Sequence, residues 1–346
     1  ARPAMLPLEV EAPAPARPHR PSQSRSSSAR SPRVADPGPP EPPPLEVAQA
    51  LASEWARVGR APRVHEVWGQ LGFKGRVPCG GRCVTGPLMR DIKFNLCAWA
   101  SIVAPSAFYF WACGADLWRW SPMLPICTAL LLLTTVVLLL LTSCTDPGII
   151  PRPALQLLVE DLEEEVREAL GCRDLPTDAS RIECDAELWK QLEPRGFEWC
   201  RHCRMWQPPR AKHCRDCGCC VLRNDHHCPF VNNCIGQRNY AYFCALIFAA
   251  TCLGIAVLGG ISVWSTHDND PSNRQLMSAL VFGPTSAVVL GLIALVGFHC
   301  TLIVRGRTTR EVLTGRVNGS GPTLFAPRGP SLLHTRREVR FPPMEV

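Results

Sequence analysis

Charge is scarce in this chain. Asp, Glu, Lys and Arg make up 19% of its 346 residues, whereas soluble domains average about 25%. The uncharged residues are concentrated in four apolar blocks, 94–115, 123–144, 241–264 and 276–304. A bilayer-spanning helix needs ~20 apolar residues, and buried helices of soluble proteins rarely stay uncharged for that length. The sequence therefore excludes an ordinary soluble domain and predicts four transmembrane helices.

An apolar run near the first residue is also missing. Such a run would mark a signal peptide, so we do not expect a secreted domain, and the 19 cysteines do not indicate a disulfide framework. Residues 1–46 instead hold 13 of the 34 prolines, and such a composition buries too little apolar surface to fold. We predict a disordered cytosolic tail, rich in Pro, Arg and Ser, over residues 1–71.

Basic residues predict how the four helices are oriented. Lys and Arg are frequent before the first block, in the central segment and after the fourth block, whereas the two short loops carry only Arg119 and Arg274. Because basic flanks mark the cytosolic side, we expect both termini and the central segment in the cytosol. The predicted organisation after the tail is a lead-in with helices 1 and 2 (72–144), a linker (145–195), a cysteine-rich domain (196–240), helices 3 and 4 (241–304) and a C-terminal tail (305–346).

The linker contains an amphipathic pattern. Apolar residues recur at helical spacing over 155–170, acidic residues fill the opposite face, and Gly171 follows as a helix cap. The pattern predicts one surface helix. Its acidic face is either solvated or a site for a basic partner.

Cysteine and histidine are concentrated between residues 200 and 234. The segment holds eight cysteines and four histidines, largely in C-x-x-C patterns: Cys200, His202, Cys203, His213, Cys214, Cys217, Cys219, Cys220, His226, His227, Cys228 and Cys234. Two tetrahedral zinc sites need eight ligands, so several of these groups are left over. Spacing alone does not decide which groups bind zinc, and for Cys228 in isolation both zinc binding and catalysis remain open.

Three of these residues form a candidate catalytic group. Adjacent side chains of an extended chain point to opposite sides, so His226 and His227 cannot both serve one site. A thiolate is a nucleophile, a histidine can take the thiol proton, and a carboxylate can orient the histidine. Cys228, His226 and Asp225 fit these roles, unless all of them bind zinc or cap turns.

At these residues the chain resembles the DHHC family of protein S-acyltransferases, also called palmitoyltransferases. The resemblance covers roughly residues 72–312. The segments that carry it are Asp146-Pro147-Gly148, Pro208-Pro209-Arg210, the run from His213 to Cys220, Asp225-His226-His227-Cys228, the run from Pro229 to Gly236, and Thr308-Thr309-Arg310-Glu311. It implies a polytopic α-helical membrane protein with four transmembrane helices and a small cytosolic two-zinc domain between helices 2 and 3.

The resemblance also implies a reaction and a set of ligands. Cys228 would take a long-chain acyl group from acyl-CoA, with palmitoyl-CoA as co-substrate, and pass it to cysteines of cytosolic or membrane proteins. His226 would be the base, Asp225 would orient it, and the acyl chain would lie between the four helices. Two structural Zn²⁺ ions would be bound, one by Cys200, Cys203, His213 and Cys220, the other by Cys214, Cys217, His227 and Cys234.

Several positions depart from the family or have a second interpretation. Phe230 stands where the family usually has Trp, Gln207 replaces a common basic residue, and Cys219 is an extra thiol that leaves the zinc register open by one position. Thr308 and Glu311 fit a helix capping box. Asp146-Pro147-Gly148 fits a turn, so both motifs are first expected to be structural.

Partners and compartment follow from the same features. We expect protein substrates with cytosolic cysteines near the membrane, acyl-CoA and the lipid bilayer as partners, and no nucleic acid, because a groove-reading helix is missing. Gly81-Arg82 and Gly86-Pro87 resemble a branch with Golgi members. We therefore expect the Golgi or the endoplasmic reticulum, with the plasma membrane as the alternative.

Two other classes of protein remain open. The main rival is a non-catalytic zinc module on a membrane anchor. A transporter fits less well, because the four blocks carry a single ionisable side chain, His299.

Overall fold

The computed structural model describes residues 44–56, 58–170, 190–268, 270–316 and 331–341. Residues 1–43 of the predicted tail and Gly171 lie outside the described residues. The rest of the predicted tail differs from the prediction, because helix α1 (Pro44–Trp55) and the short helix α2 (Val64–Val67) lie within it. Leu51, Val64 and Trp68 are buried there. Proline is dense only up to residue 44, and the Leu, Val, Ala and Trp residues that follow can pack.

A first group of helices lies between residues 78 and 169. A single turn, α3 (Pro78–Gly81), precedes the long helix α4 (Leu88–Ala112). The chain then bends by 62° into α5 (Gly114–Trp120) and continues in α6 (Met123–Cys144). Two short helices follow, α7 (Pro153–Leu158) and α8 (Leu162–Ala169).

The second group of helices follows the cysteine-rich segment. Helix α9 spans Tyr240–His267, and α10 (Pro271–Met277) passes through a π-helical turn, Ser278–Phe282, into α11 (Gly283–Arg305). Helix α12 (Thr309–Thr314) ends this part. Within the described residues, α6, α9 and the continuous stretch Pro271–Arg305 are long and apolar enough to cross a bilayer, and the bent pair α4–α5 makes a fourth if it is one span. The protein is therefore a membrane protein with three to four candidate spans.

Helix boundaries differ from the apolar blocks that predicted them. Helix α4 begins at Leu88, before the charged residues Arg90, Asp91 and Lys93, rather than at residue 94. Charge marks where a helix leaves the hydrocarbon, and the backbone can remain helical beyond that level. A π-helical turn interrupts the fourth apolar block just before Pro284, and Pro284 itself lies in the first turn of α11, where a helix tolerates proline.

Helix α9 is the centre of the apolar bundle. It packs against α6 and α11, and more lightly against α4. Near the cysteine-rich segment, Leu139 and Leu302 pack against Phe243 and Leu246 of α9. At the other end, a Cβ on Gly260 would lie 2.4 Å from the ring of Tyr109. Glycine at this position therefore lets α4 and α9 approach closely, as small residues do between membrane helices.

The cysteine-rich segment is built from short strands. They are β1 (Ile149–Ile150), β2 (Glu198–Cys200), β3 (Met205–Gln207), β4 (Lys212–Cys214), β5 (Cys219–Val221), β6 (His226–Cys228) and β7 (Asn233–Ile235). Consecutive strands β2–β3, β4–β5 and β6–β7 form antiparallel hairpins, and β1 joins β5. The register pairs His213 with Cys220 and His227 with Cys234. The β4–β5 and β6–β7 hairpins therefore each bring a histidine and a cysteine together.

The linker and residues 331–341 form a second core, separate from the apolar bundle, together with α1, α2 and the β1–β5–β4 sheet. The linker contributes α7 and α8. Leu155, Leu162, Leu333 and Val339 are fully or almost fully buried in this core. The single helix predicted over 155–170 is broken, because the backbone N–H of Arg340 donates to the carbonyl of Leu158 at 2.7 Å. That bond takes an acceptor that a continuous helix would use.

The acidic face of the linker has a basic partner within the same chain. Glu165 bonds Arg337 at 2.8 Å and also contacts His334, and Glu160 pairs with Arg340 at 2.6 Å. Segment 331–341 thus engages this face.

Candidate active site and zinc centres

The first metal group joins two hairpins. Cys200, Cys203, His213 and Cys220 offer ligand atoms that all lie within 4.8 Å of one another. The backbone N–H of Cys203 donates to Cys200 Sγ at 3.4 Å, and Gln207 Nε2 donates to Cys220 Sγ at 3.0 Å. Gln207 departs from the family's basic residue, and here it is a hydrogen-bond donor to a ligand sulfur.

The second group is Cys214, Cys217, His227 and Cys234, again within 4.8 Å of one another. His227 Nδ1 faces the sulfurs of Cys217 and Cys234, at 3.4 and 3.6 Å. Its Nε2 lies 2.8 Å from an oxygen of Asp91, a buried residue of α4. A carboxylate on the far nitrogen fixes the orientation and tautomer of a zinc-binding imidazole.

The donor sets fit zinc. Each group offers three thiols and one imidazole on tight turns, which is a common tetrahedral zinc set. The protein therefore has two Cys₃His zinc-binding sites, and they coincide with the two sets that the resemblance implied. Cys219 lies in neither group, since Cys220 beside it on β5 faces the metal and alternate strand residues point to opposite sides. The imidazole of His202 stacks on His213 with ring centroids 4.8 Å apart and is also outside both groups.

The three candidate catalytic residues, none of which belongs to a zinc group, lie together on and just before β6. His226 Nδ1 is 2.6 Å from Asp225 Oδ2, and His226 also contacts the thiol of Cys228. Asp225 is almost fully buried and accepts the backbone N–H of Thr309 at 2.7 Å and the hydroxyl of Thr309 at 2.8 Å. Strand alternation thus sends His227 to zinc and His226 to the thiol.

Electrostatics favour a charged pair at this position. Burial acts to lower the pKa of His226, but the Asp225 carboxylate and the Cys228 sulfur outweigh it and raise the pKa to about 9. Burial acts to raise the pKa of Cys228, but His226 and two backbone N–H groups outweigh it and hold the pKa below the usual range for a thiol. The geometry therefore stabilises a thiolate beside an imidazolium, the reactive form of a cysteine nucleophile.

The turn after Cys228 contributes groups that the sequence did not reveal. The backbone N–H groups of Val231 and Phe230 donate to the sulfur of Cys228. The turn is closed by a bond from Asn232 N to Pro229 O at 3.2 Å, with Asn232 in the left-handed region at φ 51°. Asparagine tolerates this conformation better than most residues. Asn232, four residues after Cys228, was therefore the available sign of this turn in the sequence.

Two distant motifs meet next to the candidate site. Arg210 forms two bonds with Glu311, from Nε at 2.6 Å and from Nη2 at 2.8 Å. Thr308 and Glu311 form the predicted capping box at the start of α12, so that prediction is confirmed. This arrangement holds Thr309 against Asp225, a role that the sequence pattern did not indicate.

The motif Asp146-Pro147-Gly148 is the predicted turn. Asp146 Oδ1 accepts the N–H groups of Gly148 and Ile149, each at 2.9 Å, and Oδ2 accepts the hydroxyl of Ser331 at 2.7 Å. The aspartate therefore also ties the end of α6 to segment 331–341.

A cavity of about 610 Å³ opens at Cys228 and His226 and extends between α4, α9 and α11. Its lining is mostly apolar, with Leu246, Val257 and Val289 among the residues deeper in the bundle. Phe230 lies at the entrance, edge-on to Phe94 with ring centroids 5.7 Å apart. The arrangement places a nucleophile at one end of a space that fits a long apolar chain.

Comparisons with known proteins agree with this site. Residues 193–316 match the family model described as DHHC palmitoyltransferase. Palmitoyltransferase ZDHHC5 of Homo sapiens is 34% identical over 223 residues, which are 62% of this chain and 28% of that protein. Palmitoyltransferase ZDHHC8 of Mus musculus is 32% identical over 205 residues, 58% of this chain and 24% of that protein. The chain thus spans about a quarter of the length of these curated relatives.

Proposed function

We propose, from the premise that residues 193–316 form a DHHC palmitoyltransferase domain, that this chain is a protein-cysteine S-palmitoyltransferase. It takes a long-chain acyl group from palmitoyl-CoA and transfers it to protein cysteines through an acyl-enzyme at Cys228. One observation carries the proposal. The Asp225–His226–Cys228 group lies at the mouth of an apolar cavity between membrane helices.

The first step forms the acyl-enzyme. Asp225 holds His226 by its Nδ1, and the other side of the imidazole takes the thiol proton. The Cys228 thiolate attacks the carbonyl carbon of the acyl-CoA thioester. The new bond joins this carbon to the sulfur of Cys228, the bond to the CoA sulfur breaks, and the proton held by His226 passes to the departing CoA thiolate.

The second step repeats the first with a different thiol. A substrate cysteine loses its proton to His226 and attacks the acyl-enzyme carbonyl. Its sulfur becomes acylated, and the sulfur of Cys228 leaves and regains a proton. The acyl chain stays in the cavity through both steps, so the substrate cysteine must reach Cys228 near the membrane surface.

Cys200, Cys203, His213 and Cys220 would hold one zinc ion, and Cys214, Cys217, His227 and Cys234 would hold the other. Bound zinc would supply cross-links between the hairpins. Since His227 lies between His226 and Cys228, its ligation would fix the strand that carries the two candidate catalytic residues.

We further propose four spans with both termini and the cysteine-rich domain in the cytosol. The uncharged part of α4, residues 94–112, is ~28 Å long at 1.5 Å per residue, which is close to the ~30 Å thickness of the hydrocarbon core. It can therefore span by itself, with α5 at the far interface. Residence in the Golgi or the endoplasmic reticulum is part of the proposal, as are protein substrates with cytosolic cysteines and the absence of nucleic-acid partners.

Self-acylation tests the function directly. The detergent-purified full chain is incubated with a reporter-bearing palmitoyl-CoA analogue and then treated with hydroxylamine, which cleaves thioesters. We expect hydroxylamine-sensitive label in wild type and none in Cys228→Ser. Cys127→Ser, an exposed cysteine of α6, is the matched control and should label fully. Equal labelling of wild type and Cys228→Ser, or no label in wild type, would contradict the proposed enzyme function. It would favour the rival function, a non-catalytic zinc module on a membrane anchor.

A further inference from the structure

One ionisable side chain within the four apolar blocks has no role in the mechanism above. His299 is the only His, Asp, Glu, Lys or Arg among those blocks. It lies on α11 and is 3% exposed. Ionisable residues inside a membrane are costly and usually mark a functional site, so the surroundings of His299 indicate what it does.

The imidazole of His299 is held next to the candidate base. Its Nδ1 lies 2.9 Å from the hydroxyl of Tyr240. The ring of Phe243 packs edge-on against both imidazoles, with centroids 5.1 Å from His299 and 5.3 Å from His226. The two imidazole centroids are 6.4 Å apart. His299 therefore lies close to His226, the group that would take the proton of Cys228, and the ring of Phe243 packs against both.

The second nitrogen of His299 is available. Among the described residues, none forms a hydrogen bond with Nε2, and the side chain lines the same cavity as Cys228 and His226. The hydroxyl of Thr285 also lines the cavity and has no hydrogen-bond partner within the described part of the chain, but it lies 14 residues before His299 on α11, ~21 Å away along the helix. The hydroxyls of Ser106 and Thr309 are already used. The hydroxyl of Ser106 donates to the carbonyl of Ile102 at 2.8 Å, and the hydroxyl of Thr309 donates to Asp225.

The reaction requires a donor in this region. During attack, the thioester carbonyl carbon comes within ~3–3.5 Å of the nucleophile, and its oxygen becomes an oxyanion in a cavity whose lining is mostly apolar. The N–H groups of Val231 and Phe230 point at the sulfur of Cys228, which carries the negative charge before the attack. A separate donor is needed at the carbonyl oxygen, which carries this charge after the attack.

We propose that His299 is this donor. In this arrangement the hydroxyl of Tyr240 donates to Nδ1 of His299, which fixes the neutral tautomer with its hydrogen on Nε2, and Nε2–H donates to the thioester carbonyl oxygen. The inference rests on the proposed function, since it assigns a further residue to the same transfer. Tyr240 is then a positioning residue that acts through His299.

Two substitutions separate the roles of the two nitrogens. His299→Asn keeps a polar atom near the position of Nδ1, for Tyr240, and removes the group at Nε2. His299→Gln keeps an N–H near the position of Nε2 and loses the bond to Tyr240. The measurement is the rate of acyl-enzyme formation by the detergent-purified full chain over a range of palmitoyl-CoA concentrations.

We expect His299→Asn to lower the maximal rate on the order of 100-fold, the usual effect of removing one oxyanion donor, with little change in KM. His299→Gln and Tyr240→Phe should retain more of the rate than His299→Asn. If His299→Asn keeps the wild-type rate, or loses less than His299→Gln, the imidazole serves packing and the proposal is wrong. Loss of label in wild type itself would instead refute the proposed function.

A measurement on the wild-type protein covers the case in which the variants do not fold. Two inert analogues of palmitoyl-CoA are compared as inhibitors, a ketone that keeps the carbonyl and a thioether that lacks it. A donor aimed at the carbonyl oxygen makes the ketone the tighter inhibitor. Equal inhibition by the two analogues would overturn the proposal.

Discussion

At the scale of single residues, the site depends on partners that are far away in the sequence. Thr309 follows the fourth span, yet its backbone N–H and its hydroxyl both donate to Asp225. Asp91 lies in the first long helix, yet it holds the zinc-binding His227. Both partners act on a neighbour of Cys228 rather than on its thiol.

The bond from the Thr309 hydroxyl should be needed for acylation as well as for stability. Thr309→Val removes one of two bonds to a buried carboxylate, and a hydrogen bond to a charged group contributes about 1.5–3 kcal/mol. We expect self-acylation to fall about tenfold or more, because Asp225 then orients His226 less firmly. Thr314→Val is the matched control, since the Thr314 hydroxyl bonds only the carbonyl of Arg310 at 2.8 Å. Equal rates in both variants would show that the backbone bond suffices.

Asp91 should affect zinc rather than acyl transfer. Asp91→Asn removes the carboxylate from the far nitrogen of a ligand, and such partners contribute about 10–100-fold to metal affinity. Release of zinc to a chelating dye should therefore be faster in this variant, for one of the two ions. Asp216→Asn is the control, because Asp216 lies in the same turn as Cys217 but contacts Arg90. Unchanged release from Asp91→Asn would mean that the sulfurs alone hold this ion.

The sequence predicted the ligands and the candidate catalytic residues but not their partners. Cys200 to Cys234 lie within 35 residues, so spacing, strand alternation and the family resemblance together predicted both metal groups, and the assignment of the catalytic residues stays a prediction. Asp91, Thr309 and His299 reach the site through the packing of α4, α12 and α11. No local pattern reports such contacts, since each depends on how separate helices meet.

At the scale of elements, the capping box at α12 has a second role. Thr308 and Glu311 cap the helix, as the sequence predicted, and Glu311 also forms a buried pair with Arg210 of the cysteine-rich segment. Burial acts to raise the pKa of Glu311, but Arg210 and the N–H of Thr308 outweigh it and keep the pKa below its usual value. This pair therefore stabilises the fold above the unfolded-state pKa, and its contribution is lost as the pH falls through the lower folded-state pKa.

Breaking this pair should loosen α12 from the zinc domain. Glu311→Gln leaves a buried guanidinium without its charged partner, which typically costs about 3–5 kcal/mol. We expect a lower Tm in detergent and weaker acylation, because Thr309 follows Thr308 at the start of the same helix. The matched control is Glu198→Gln, which breaks the half-exposed pair with Lys212 and should cost about 1 kcal/mol or less. A Tm of Glu311→Gln equal to that of the control would contradict the coupling.

Element boundaries were less predictable than element types. The apolar blocks identified each long helix of the described residues, but the break between α7 and α8 and the position of α2 depend on bonds to segment 331–341. In particular, Val339 N donates to Pro62 O at 2.8 Å, and Arg340 N donates to Leu158 O at 2.7 Å. Local composition cannot anticipate bonds across more than 150 residues.

At the scale of the whole molecule, exposed tryptophans outline the side of the bundle opposite the zinc domain. Trp111 is at the end of α4, and Trp118 and Trp120 are on α5. Tryptophan is enriched at the boundary between hydrocarbon and water. Helix α5 then lies along the interface, which turns the chain from the first span back into the second. This arrangement gives the proposed topology with four spans.

A glycosylation reporter tests that topology. An Asn-containing acceptor, flanked by a Gly/Ser spacer, is inserted after Trp120, and the full chain is synthesised in the presence of endoplasmic reticulum membranes. Because the loop between α5 and α6 should be luminal, we expect the acceptor to be glycosylated, which appears as a shift in gel mobility that a glycosidase reverses. The same insert after Arg316 is the control and should stay unmodified in the cytosol. Modification after Arg316 but not after Trp120 would mean that the protein has the opposite orientation. Modification at both sites would require an even number of spans between them, rather than the three of the proposed topology.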